Sequence, residues 1–119
     1  DHCSGILSVL RKGRAGETYC IGGASEKTNM EVIDTLCNIL DRHHPSGAPH
    51  NQLKTFVTDR PGHDHRYAID FSKIKNELGW QPSYSFEEGM EQTVLWYLNH
   101  QEWCENVTSG KYQRERLGI

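Results

Sequence analysis

The feature that most limits what this chain can fold into is its shortage of strand. Only residues 18–21 and 54–57, and more weakly 67–69, read as extended segments, and all three are short and set between helical patterns. Two short strands cannot form a sheet that stands by itself. Either they complete a sheet supplied by other polypeptide, or they pair as a small patch covered by helices. The expected class is therefore α/β (α+β-like), with about four helices and two or three short strands.

The helices carry clear starts and stops. Ile6, Val9 and Leu10 fall at i, i+3 and i+4, and Gly13 can end that first helix. Val32, Ile33, Leu36, Cys37 and Leu40 form one apolar stripe, with Thr28 or Asn29 as its cap. Asp70 is placed to cap a third helix that turns Phe71, Ile74 and Leu78 inward. Gly79 is its expected left-handed stop, Trp80 is placed to fold back on it, and Pro82 prevents resumption. Ser85-Phe86-Glu87-Glu88 is a capping box opening a long helix with Phe86, Met90, Val94 and Tyr97 on one face; Trp96 and Trp103 lie on or beyond it. Residues 43–51 form a Pro- and Gly-rich loop, and residues 109–119 a polar tail. The length allows one domain, and a helical pattern that begins immediately after Asp1 reads as a lobe of something longer.

Composition narrows the function classes. Thirteen basic against sixteen acidic residues give a net charge of −3, which argues against bulk nucleic-acid binding. A small phosphorylated ligand remains compatible, because one or two well-placed Arg residues suffice for it. No apolar run approaches the ~20 residues of a membrane span and no leader pattern opens the chain, so a non-membrane, cytoplasmic protein is expected. The cysteines, Cys3, Cys20, Cys37 and Cys104, are scattered without a C-x-x-C and read as reduced thiols, Cys37 at a core position. Without a leader, the acceptor triplet Asn106-Val107-Thr108 reads as accidental.

The segment richest in chemistry is Asp59-Arg60-Pro61-Gly62-His63-Asp64-His65-Arg66-Tyr67, a loop after an extended segment, where ligand-binding residues often sit. Pro61 fixes one backbone angle and Gly62 permits a turn, so Arg60 and His63 can project to one side. Arg60 offers a planar fork of donors suited to a diphosphate, and His63 can hydrogen-bond a phosphate or sugar oxygen. The competing reading is a solvated loop in which Arg60 pairs with Asp64 to hold the turn. Asn29 is either a helix cap or a ligand donor and acceptor. Gly22-Gly23 resembles a phosphate loop only loosely, lacking G-x-G-x-x-G, and reads better as a tight turn. The seven histidines show no converging zinc set, and neither G-x-S-x-G nor an activated Cys is present; no metal and no catalytic residue is expected here.

Taken in order, Gly16-Glu17-Thr18-Tyr19-x-Ile21-Gly22-Gly23, Glu26-Lys27-x-Asn29, Asp59-Arg60-Pro61-Gly62-His63-Asp64-x-Arg66-Tyr67-Ala68-Ile69-Asp70, Leu78-Gly79-Trp80-x-Pro82 and Thr93-Val94-x-Trp96-Tyr97 resemble the dTDP-glucose 4,6-dehydratases of the extended short-chain dehydrogenase/reductase superfamily. The Leu-Gly-Trp-x-Pro corner is shared across nucleotide-sugar epimerases and dehydratases, whereas the Arg-Pro-Gly-His-Asp loop is more specific. The resemblance runs from Asp1 to about Tyr112 and implies the C-terminal, substrate-binding lobe of a Rossmann-type enzyme: residues 1–108 the lobe, 109–119 the tail. It implies a lyase that uses NAD to oxidise the sugar of dTDP-glucose at C4, lose water across C5 and C6, and return hydride to C6, a step of deoxysugar (commonly dTDP-rhamnose) synthesis. It further implies substrate-binding roles for Asn29, Arg60 and His63, and a homodimer for the whole enzyme. The family's glycine-rich dinucleotide turn, Tyr-x-x-x-Lys pair and Asp-Glu pair do not occur in this chain, so no cofactor-binding residue is expected on it. Lobes of a nucleotide-sugar epimerase or decarboxylase, and a stand-alone binding module, are the alternatives.

Overall fold

A computed structural model describes residues 1–45 and 49–108. It contains five α-helices, α1 (His2–Lys12), α2 (Asn29–His43), α3 (Ser72–Leu78), α4 (Phe86–Asn99) and α5 (Gln101–Thr108), with a 3-10 turn at His50–Leu53 between α2 and α3. The chain divides into two compact units, Asp1–Thr28 with His65–Gly89, and Asn29–Asp64 with Met90–Ile119. The polar tail and part of the 43–51 loop expected from the sequence lie outside the described residues.

The first unit is built around the corner at Gly79. Helix α3 ends there with φ 72°, in the left-handed region that costs glycine nothing, and its N–H closes on the Lys75 carbonyl. Reversal at Gly79 brings Trp80 against the helix that precedes it. Ile74, Leu78 and Trp80 are buried, and Val9 of α1, Tyr19, Ile21 and Phe71 pack around them. The Trp80 ring meets Phe71 edge-on at 6.2 Å, and its indole N–H donates to Ser4 Oγ at 3.0 Å, so burial leaves no polar group unpaired. Asp1 acts at long range: its carboxylate accepts the backbone N–H groups of Ser83 and Tyr84. The capping box forms reciprocally, Ser85 N–H and Oγ donating to Glu88 and Glu88 N–H donating back to Ser85 Oγ.

In the second unit Cys37, Ile39 and Val94 are buried. Of the apolar stripe anticipated for α2, Cys37 is buried and Val32, Leu36 and Leu40 are half-buried; Ile33 is 39% exposed, and Ile39, outside that stripe, is inside. Asp41 ties α2 to the 3-10 turn by accepting both His50 N–H (2.9 Å) and His50 Nδ1 (2.5 Å), and Lys54 pairs with Asp34. The long helix expected from Phe86 breaks at His100, and α5 resumes beyond it. At the break Trp96 stacks on His100 (4.4 Å) and lies edge-on to Tyr97 and Trp103.

The expected strands are the main correction. No strand is present among the described residues, at 18–21, 54–57 and 67–69 included. Extended backbone becomes a strand only when a neighbour in register, about 4.8 Å away, takes its N–H and C=O groups. Each of these segments is too short to recruit one, and 54–57 belongs to a different unit from the other two. Phe56 and Val57 in it are exposed, Phe56 at 84%. Within the first unit the extended chain at Gly22 passes so close to Ile69 that a Cβ would lie 2.8 Å from the Ile69 carbonyl oxygen, which is a close approach without a ladder. Among the described residues no helix is long and apolar enough to cross a membrane.

Candidate functional site

The loop at 59–64 is organised by one carboxylate. Gly62 sits at φ 70°, turning the chain after Pro61. That turn carries His63 back to Asp59, whose Oδ1 accepts both the Arg60 backbone N–H (2.8 Å) and His63 Nδ1–H (2.8 Å). The His63 hydrogen bond, and after it the Arg60 N–H, holds the Asp59 carboxyl below the usual carboxylate range. An ionised carboxylate can only accept, so the His63 nitrogen facing it carries the hydrogen and Nε2 is left for another partner.

Arg60 is exposed, and among the described residues its guanidinium enters no ion pair; its backbone, not its side chain, holds the turn. An exposed guanidinium, and a ring nitrogen with spare bonding capacity three residues on, are groups that can take an anionic, hydrogen-bonding ligand such as a diphosphate. The structure thus brings Arg60 and His63 together on Asp59. Asn29 is the exposed first residue of α2, which leaves the cap position to Thr28, and among the described residues no hydrogen bond joins Asn29 to Arg60 or His63. The organising role of Asp59 was missed in the sequence. Its signal was available: an Asp ahead of a Pro-Gly turn commonly bonds backbone and side chains a few residues on.

Several other charged groups pair within their own units. In the first, Arg66 places Nε (2.7 Å) and Nη2 (2.5 Å) on Glu26 Oε2, and Lys27 pairs with Glu87 at 2.9 Å while lying over the Phe86 ring. In the second, Arg42 and His43 converge on Glu91. An open cleft of about 280 Å³ in the first unit is lined by Lys12, Arg14, Tyr19, Glu77 and Leu78 and contains none of the expected ligand residues. Glu77 fills its polar side by accepting from Arg14 (3.2 Å) and Tyr19 OH (3.0 Å). Among the described residues no three His, Cys, Asp or Glu side chains form a metal set.

Comparison with known proteins places the chain in a class. Residues 1–93 match the family model described as GDP-mannose 4,6 dehydratase, and the chain belongs to that family. Within it, the chain is similar to enzymes named dTDP-glucose 4,6-dehydratase: 55% identical over 120 residues to that of Xanthomonas campestris pv. campestris (99% of this chain, 34% of the relative). It is 50% identical over 113 residues to one from Escherichia coli (95% of this chain, 31% of the relative). The crystal structure of dTDP-glucose 4,6-dehydratase from Bacillus anthracis in complex with NAD superposes with a TM-score of 0.72 at 47% identity, over 86% of this chain and 30% of that one. The chain thus spans about a third of the length of the relatives it matches.

Proposed function

We propose that this chain is the nucleotide-sugar-binding part of a dTDP-glucose 4,6-dehydratase, a lyase converting dTDP-glucose to dTDP-4-keto-6-deoxyglucose. The observation that carries the reading is the Asp59-pinned turn with the Arg60 guanidinium outside any ion pair, in a chain 55% identical to an enzyme of that name. Arg60 takes the diphosphate through its fork of donors. His63 contributes to nucleotide recognition through Nε2, and Asn29 meets a phosphate or the adjacent sugar oxygen. The NAD named with the Bacillus anthracis relative has no motif for its binding among these residues, so NAD and the hydride chemistry belong to polypeptide outside this chain. A cytoplasmic location and a homodimer of the whole enzyme complete the proposal.

A titration of the chain with dTDP, UDP and GDP tests it. Saturable binding of dTDP, with the other two weaker, is expected. Arg60→Lys weakens dTDP by roughly tenfold, the value of one charge-assisted hydrogen bond lost from the fork. The chain alone forms no keto sugar from dTDP-glucose and reduces no NAD. Preference for GDP would favour the activity in the family's description instead, and equal affinity of the Lys variant would remove Arg60 from the site.

A further inference from the structure

We propose that Asp59 is the positioning residue of this loop: it fixes the tautomer of His63 and the backbone of Arg60, so that both face a nucleoside diphosphate in a ready geometry. The inference rests on the functional reading just given and goes beyond it by assigning a third side chain, one that does not itself touch the ligand.

Three observations converge on it. The two hydrogen bonds to Asp59 end on the same oxygen, so the Arg60 backbone nitrogen and His63 Nδ1 are each held 2.8 Å from a single point, which ties the Arg60 backbone and the His63 ring to one carboxylate. The Asp59 side chain is itself 74% exposed while that of His63 is only 34% exposed, so the carboxylate works from the solvent side and holds the ring in place. Finally, an imidazole in water favours hydrogen on Nε2, whereas the acceptor at Asp59 imposes hydrogen on Nδ1. Neutral His63 therefore presents Nε2 as an acceptor, suited to an imide N–H or a sugar hydroxyl; when protonated it donates to a phosphate oxygen. A carboxylate behind a histidine that orients the ring toward a ligand is the same physical device as the outer partner of a metal-bound histidine.

The experiment is nitrogen-15 NMR of the imidazoles of the 119-residue chain at about pH 8, where a histidine is neutral, paired with a dTDP titration of the same samples. In the native chain His63 is expected as the Nδ1–H tautomer. Asp59→Ala should return it to the Nε2–H form and raise the dTDP dissociation constant roughly tenfold. Asp59→Asn, whose amide oxygen can occupy the place of Oδ1, should keep the tautomer and most of the affinity. In a His63→Ala background, Asp59→Ala should cost distinctly less than it does alone. An unchanged tautomer in Asp59→Ala, or an unchanged dTDP affinity with a native chain that binds, overturns the role of Asp59 and leaves the functional reading intact. A native chain that binds no dTDP overturns that reading and this inference with it, even if the tautomer follows Asp59.

Discussion

Two corners of this molecule use the same backbone device for opposite ends. At Gly79 and at Gly62 the chain enters the left-handed region with nearly equal φ, 72° and 70°, and at neither would a Cβ meet any atom within 4 Å. The surroundings of the neighbouring side chains differ. Trp80 is driven into a core with Ile74 and Leu78, while the residues around Gly62 stay at the surface, with Arg60 N–H and His63 bonded to Asp59. The first corner is stabilised by apolar surface removed from water, the second by two hydrogen bonds to one carboxylate. A turn is therefore neither structural nor functional by its backbone; the side chains it delivers, and whether they find a core, decide that.

The comparison breaks first at Trp80. Trp80→Ala removes the largest side chain of a small core and should cost about 3–5 kcal/mol, enough to abolish a cooperative melting transition followed by circular dichroism. A loss under about 1 kcal/mol would mean that the Gly79 corner is held by something other than this core. The matched pair Gly79→Ala and Gly62→Ala comes next. Backbone strain of about 1–2 kcal/mol applies at both, but denaturant midpoints should register it at Gly79, whereas at the exposed loop it should show mainly as weaker dTDP binding. Ser85→Ala, which opens the capping box, should lower stability by about 1 kcal/mol without altering the loop.

The smallest effect is on pH. Asp59 is held below its ordinary value in the folded chain, so its hydrogen bonds contribute fully above the unfolded value of about 3.9 and are lost as pH falls through the lower folded value. The Arg60 amide shift, which reports its hydrogen bond to Asp59, should accordingly make an acid-side movement below about pH 4 that is absent in Asp59→Ala. The same acid-side movement in Asp59→Ala would show that the Asp59 carboxylate does not hold the loop.

Much of the helical scaffold was legible because its determinants are local. Ser85 and Glu88 bond each other across one turn, Gly79 stops α3 where a left-handed residue was required, and Asp70, although one residue outside the assigned cap, still accepts the Ser72 N–H. The Arg60 and His63 loop was legible as chemistry, since a guanidinium and an imidazole beside Pro-Gly are visible as residue types. Its wiring was not, because Asp59 and Asp64 both flank the turn and residue types cannot say which one the geometry selects.

The sequence by itself determined the Ser85 start of α4 and the Gly79 stop of α3, because capping bonds and glycine sterics act within a turn or so of chain. Only the tertiary structure decided that the expected strands form no ladder among the described residues, that Ile39 joins Cys37 inside, and that Asp1 reaches Ser83 and Tyr84. Ladder pairing and burial depend on which distant surface arrives alongside, and a one-dimensional pattern does not specify that neighbour.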